Sequence, residues 1–334
     1  MRVFHCQCGH PVYFSNHRCI NCGADLGFDP ATLTMRARLP GQQTAEPFIP
    51  CKNGGDHGVC NWLCQEGEAL CWGCQFNRQI PDLSNPLNLQ RWDRFERAKK
   101  RLLYTLLSLG LPINNGHADQ QNGLLFDLLE DSRSDAVRYP ESFVATGFAG
   151  GVITINTLET DDASREAMKV EMKEGYRTVL GHLRHESGHY YFSMLGDYVA
   201  ELRDQFGDFE SDYATALDRH YQQGPPDGWE TRYISAYASA HPSEDWAETW
   251  GHYLQIHDVL ETAADHGLPE APGDFRGAIG HWRKLSITLN ELNRSMGLAD
   301  AYPFVVTPAI EEKLACVDAM VNRLRTSPPS TAAR

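Results

Sequence analysis

Nine of the ten cysteines fall between Cys6 and Cys74, and only Cys316 lies elsewhere. In a reducing compartment such clustering points to metal ligation rather than to disulfides. Cys6-x-Cys8 followed by Cys19-x-x-Cys22 gives two close pairs on a short loop, which suits four thiolates around one zinc. Cys51, Cys60, Cys71 and Cys74 form a second set; Cys64 is its odd member, and Cys60 is preferred over it. Residues 1–84 are otherwise rich in Gly, Asn and Pro, with little periodicity and one short possible strand at 11–14. The expectation is a small domain, a zinc ribbon, organised by metal where it lacks a core of its own. The stretch from Ile80 to Pro86, two prolines around polar turn formers, reads as a linker.

From Leu87 the texture changes. Leu89, Trp92, Phe95, Leu102, Leu103, Leu106 and Leu107 give a helical pattern, and the basic run Arg97 to Arg101 inside it reads as a solvated face. Leu124 to Leu129 and Gly151 to Asn156 read as strands. Helices are expected at 161–173, 176–195, 209–222, 243–264, 275–296 and 308–325. The whole is α+β and mostly helical, with a small sheet, over a second domain at 87–328 and a disordered tail at 329–334. The strand at 151–156 is a candidate exposed edge that pairs with an extended peptide; an ordinary interior strand is the alternative.

The helix at 176–195 carries His185-Glu186-Ser187-Gly188-His189. Residues four apart share a helix face, so both imidazoles can meet one ion, while Glu186 points to the neighbouring face, within reach of a water. Zinc hydrolysis needs neutral imidazoles, an open position and a base, which this spacing supplies. A third ligand sorts the zinc hydrolases. The metzincin pattern would need glycine at 192 and histidine at 195; the chain has Phe192 and Leu195. The gluzincin alternative takes a Glu from a later helix, and Glu244, with Glu248 one turn on, fits it. One can bind zinc while the other accepts a hydrogen bond from a histidine N–H.

With Pro242 at the first helical position, Glu244 also suits a plain helix-capping role, and Asp245 is the fallback ligand. Tyr237 can supply a hydroxyl to a developing oxyanion, or simply pack in a core. His182, one turn before His185, is expected to support the site or to pack rather than to ligate.

Charge narrows the partners. A formal net charge of −14 disfavours nonspecific nucleic-acid and anionic-membrane binding. Residues 1–85 hold six Lys/Arg against seven Asp/Glu, and zinc-bound thiolates add negative charge. The ribbon is therefore expected to be a structural or protein-recognition module, with a peptide or protein as the substrate. No stretch suffices for a membrane span, and no hydrophobic leader follows Met1, so a cytoplasmic protein is expected.

Taken together, Cys19-Ile20-Asn21-Cys22-Gly23, Cys60-Asn61-Trp62-Leu63, Asn77 to Leu83, His182 to His189, Tyr237 to His252 and Leu292 to Gly297 resemble a bacterial family of zinc-binding metallopeptidases with an amino-terminal zinc-ribbon domain. The resemblance covers nearly the whole chain and implies a zincin-like catalytic domain. The arrangement of Tyr237, Glu244 and Glu248 is also similar to that of the anthrax-lethal-factor-type gluzincins. Cys64 is a cysteine beyond the family's pattern. The expected function is a zinc metallopeptidase with one catalytic and two structural Zn²⁺. The alternatives are an inactive zinc-stabilised binding module, against which Glu186 speaks, and a ribbon-directed nucleic-acid binder, against which the charge speaks.

Overall fold

A computed structural model describes residues 1–44, 46–140, 142–172 and 176–326. The expected tail at 329–334 lies outside the described residues, as does Lys173. The chain divides into two compact units, Met1–Met168 with Thr178–Leu183, and Lys169–Arg177 with Arg184–Arg334.

In the first unit, β1 (Phe4–His5) pairs antiparallel with β2 (Pro11–Val12), and β3 (Asp25–Asp29) with β4 (Thr34–Arg38). The expectation that metal substitutes for a core is corrected here. Phe4, Phe14, Phe28 and Trp62 are all buried, and Phe28 lies 4.8 Å from Phe14 and 5.0 Å from Trp62, centroid to centroid. The core is aromatic, with few residues per turn of chain, so it leaves no periodic trace. After the short helix α1 (Lys52–His57) and strand β5 (Asn77–Gln79) comes α2 (Pro86–Ser108). Asn85 caps α2 by accepting from the Leu87 N–H, and Pro86 is its first residue, so the expected linker ends as a helix start. Tyr104 of α2 closes the aromatic cluster, 5.5 Å from Phe14.

A second correction concerns the basic run. Arg97 and Arg101 are exposed, but Lys99 and Lys100 are buried on the apolar side, at 0% and 4% exposure. Their ammonium groups find partners that the helix alone does not reveal.

The sheet of this unit has the order β5, β7 (Gly123–Leu129), β9 (Val152–Asn156), β8 (Gly147–Ala149), with β6 (Asn114–Asn115) also on β7. β7 runs parallel to β5, β6 and β9, and β8 is antiparallel to β9. β9 is therefore an interior strand, and the candidate edge at 151–156 is overturned: Gly147 to Ala149 occupy its second side. β7 is an apolar run except for Asp127, which is fully buried and bound by the Arg78 guanidinium. A helix α3 (Asp162–Met172) follows the sheet.

Helix α4 (Val179–Ser193) starts where the Thr178 hydroxyl accepts from the Gly181 N–H; it enters the second unit at Arg184. Next come α5 (Val199–Phe206), which the sequence reading did not expect, and α6 (Tyr213–Gln223). α6 begins four residues later than expected because Asp212 caps it, accepting from the Thr215 N–H at 2.7 Å. α7 (Pro242–Asp265), α8 (Phe275–Ser295) and α9 (Pro308–Thr326) complete the unit. Ile256, Ile279, Trp282, Tyr302, Ile310 and Leu314 form one of its cores, to which α7, α8 and α9 all contribute. Among the described residues no helix is long and apolar enough to cross a membrane.

Candidate metal centres

The cysteines gather into two groups of four. Cys6, Cys8, Cys19 and Cys22 form one and Cys51, Cys60, Cys71 and Cys74 the other, each with all sulfurs within 4.8 Å of one another. Sulfur pairs stand at 3.5 Å (Cys6–Cys22), 3.8 Å (Cys8–Cys19) and 3.5 Å (Cys60–Cys71). A tetrahedron with Zn–S bonds of about 2.3 Å has edges of about 3.8 Å, so both groups fit zinc. Cys64 is buried but outside both groups, and burial, with the Cys51 charge, pushes its thiol up to about 12. It is a small apolar filler rather than a ligand.

Beneath the second thiol group lies the explanation for the buried lysines. Glu96 of α2 is fully buried and accepts from Lys99 Nζ at 2.8 Å, Asn77 Nδ2 at 2.7 Å and Trp92 Nε1 at 3.2 Å. Its other oxygen faces Lys100 Nζ at 3.6 Å and Cys74 Sγ at 3.9 Å. Lys100 also donates to the Val59 carbonyl at 2.7 Å. Burial pulls the Lys100 ammonium down, but the charges of Cys60, Glu96 and Cys74 reverse this and hold it protonated.

The third group is built by helices α4 and α7. Gly188 lets them touch: a Cβ there would stand 2.9 Å from the Ala247 Cα. Trp246 Nε1 donates to the Gly188 carbonyl at 2.9 Å, and Trp250 Nε1 to Ser187 Oγ at 3.0 Å, so two indoles lock the register. The crossing sets His185 and His189 against the amino-terminal turns of α7. There His241 is the cap, its ring accepting from the Ser243 N–H, and Glu244 lies in the first turn.

His185 Nε2 lies 3.2 Å from His189 Nε2 and 3.0 Å from Glu244 Oε2. Ligands at about 2.0–2.1 Å from a tetrahedral zinc are about 3.3 Å apart, so these two distances match edges of such a site, and the other Glu244 oxygen, Oε1, lies 3.6 Å from His189 Nε2. Glu244 is 1% exposed, and its Oε2 is buried with no hydrogen-bond partner. A buried carboxylate oxygen left bare beside two imidazole nitrogens fits a cation.

His185 is oriented from behind. Its Nδ1 lies 2.6 Å from Glu248 Oε1, and Ser235 Oγ donates to Glu248 Oε2 at 2.6 Å. Burial would raise the Glu248 carboxyl, but the hydrogen bond and charge of His185 hold it at about 2. Glu186 is 8% exposed; burial raises its carboxyl, the charges of His185 and His189 lower it, and those of Glu244 and Glu248 raise it. Tyr237 sits with its ring 6.0 Å from that of His185, and burial, then the Glu244 charge, keeps its phenol protonated.

The remaining expectations separate from the group. Asp245 is paired with Lys313 Nζ at 2.5 Å, and His182 Nδ1 faces Glu159 at 3.4 Å. Ser235 and Tyr213, which donates to Glu244 Oε1 at 2.8 Å, were missed. No local signal marks either, because Tyr213 reaches Glu244 from another helix and Ser235 reaches Glu248 from the loop before α7.

The Gly188 contact makes a prediction. Alanine is favoured over glycine in a helix by about 1 kcal/mol. A Gly188→Ala protein is nonetheless expected to lose about 1–3 kcal/mol by overpacking and to bind one zinc fewer. Urea denaturation and metal analysis check this; a stabilised protein with its zinc intact contradicts the helix crossing.

A family model described as "Putative zinc-binding metallo-peptidase" matches residues 88–320, and one described as "zinc-ribbon domain" matches residues 3–85. The proteins Rv2568c of Mycobacterium tuberculosis and Mb2598c of Mycobacterium bovis, both named only as uncharacterized, are each 42% identical to this chain over 341 residues. The alignments cover 97% of this chain and 96% of each relative. No solved structure matches. With thiol groups and a His/His/Glu group inside the matched segments, the chain belongs to this family of zinc-binding metallopeptidases with an amino-terminal zinc ribbon.

Proposed function

We propose that the protein is a zinc-dependent peptidase of the gluzincin type, with a zincin-like catalytic domain at 87–328 and a ribbon at 1–84. The convergence of His185 Nε2, His189 Nε2 and Glu244 Oε2 beside Glu186 supports this most directly. These three side chains would hold the catalytic zinc, and the two four-cysteine groups would hold structural zinc. The ion supplies Lewis acidity, polarising a scissile carbonyl and making a water acidic. Glu186 takes the proton of the attacking water on its carboxylate and delivers it to the leaving amine. Tyr237 donates its hydroxyl to the negative charge developing on the carbonyl oxygen. Glu248, braced by Ser235, holds the His185 ring with Nε2 forward.

A purely structural zinc needs no carboxylate beside its ligands, so Glu186 favours turnover over a binding role. The ribbon is read as a structural or protein-recognition module. Metal analysis is expected to give about three zinc per chain, falling by one in His189→Ala and in Glu244→Ala. Both variants should lose hydrolysis of a peptide library. A count of two that ignores both substitutions, with hydrolysis unchanged, would sink the proposal.

A further inference from the structure

Glu244 has two oxygens in unequal settings. Oε2 is bare and lies 3.0 Å from His185 Nε2, whereas Oε1 accepts the Tyr213 hydroxyl at 2.8 Å and is 3.6 Å from His189 Nε2. Tyr213 does not reach this carboxylate by chance of rotamer. It is the first residue of α6, fixed by the Asp212 cap, and its ring stands edge-on to His241, 5.1 Å away. His241 in turn caps α7 and has its Nε2 3.1 Å from the Ser211 carbonyl and 3.0 Å from Ser211 Oγ. The starts of α6 and α7 are thus tied at Ser211–His241 and Tyr213–Glu244, two residues apart along one helix start and three along the other.

The geometry points to Tyr213 as a positioning residue of the metal centre: by holding Glu244 Oε1, its hydroxyl commits the carboxylate to bind metal through Oε2 alone. A carboxylate free to turn can offer both oxygens to one ion and so fill the position that a substrate or water needs. A hydrogen bond on one oxygen also fixes the ligand's direction before metal arrives, which strengthens binding. Neither sequence spacing nor the family match assigns this role to Tyr213. Tyr213 is 45% exposed, and phenylalanine keeps its ring, so Tyr213→Phe removes the hydroxyl alone.

The inference rests on the His185/His189/Glu244 reading, and the test separates the two. Full-length, zinc-loaded protein is titrated with dipicolinate to follow release of its most labile zinc, and the emptied site is refilled with Co²⁺ while the cysteine groups keep zinc. In Tyr213→Phe the labile zinc is expected to bind about 10- to 100-fold more weakly. The visible Co²⁺ absorption should fall, as Glu244 turns both oxygens to the ion. Ser211→Ala loosens the same helix junction but keeps the hydroxyl, and should leave both readouts as in wild type. If Tyr213→Phe matches wild type while His189→Ala loses the ion, the role of Tyr213 is overturned and the metal site stands. Equal weakening in Ser211→Ala also overturns it, assigning the effect to the junction. If wild type has no labile zinc to release, the site reading itself fails.

Discussion

A Glu186→Gln protein is expected to keep all its zinc and to lose about 10²- to 10⁴-fold in peptide turnover. Glutamine has the shape of glutamate, so the α4 packing around this 8% exposed side chain survives. The proposed zinc ligands His185, His189 and Glu244 are untouched, and the Glu248 contact that aims His185 is independent of position 186. What disappears is a carboxylate able to take a proton, and with it the step that turns a water into a nucleophile. The loss should appear in kcat with substrate binding little altered, because the proton is moved in the transition state. The same protein is a substrate trap, and the peptides it retains from a proteome digest give the cleavage preference. Full activity with normal zinc content would move the base elsewhere and refute the mechanism.

The parts of this site that were legible from sequence are those set by local periodicity. His185 and His189 follow from i,i+4 spacing, and Glu244 with Glu248 from the same rule on a helix announced by Pro242. The cysteine pairs were equally readable, since thiols of a knuckle are neighbours in the chain. What escaped depends on contacts between distant segments. Lys99 and Lys100 resemble a solvated run in α2, and it is the Glu96 carboxylate, the thiols of Cys60 and Cys74, the Asn77 side-chain oxygen and the Val59 carbonyl that partner them in the interior. For the strand at 151–156 the edge and interior readings both stay open in sequence, because its second neighbour is three residues, Gly147 to Ala149, too short to register as a strand. Tyr213 and Ser235 carry no motif; one is an ordinary helix start and the other a loop serine until α7 is placed beside them.

Glu96→Ala is expected to be the most damaging single change outside the His/His/Glu site, costing about 3–5 kcal/mol. The substitution leaves Lys99, wholly buried, without the carboxylate 2.8 Å away, and strands the Asn77 amide and the Trp92 indole N–H. Glu96→Gln preserves an acceptor but not the charge, and should cost less than alanine while still destabilising. The second thiol group adds a condition. Four thiolates around one Zn²⁺ carry a net charge of two minus, which faces Lys100 as a second counter-charge. Stripping that zinc lets the thiols take up protons and removes this charge, leaving Glu96 as the principal partner of both lysines. The penalty for Glu96→Gln should therefore be larger in chelated than in zinc-loaded protein, a coupling read from urea midpoints of the four states. Additive effects would mean that the thiol group and the buried lysines do not share their charge. A coupling of the expected sign makes the ribbon's second zinc part of the stability of α2, and not only of the ribbon.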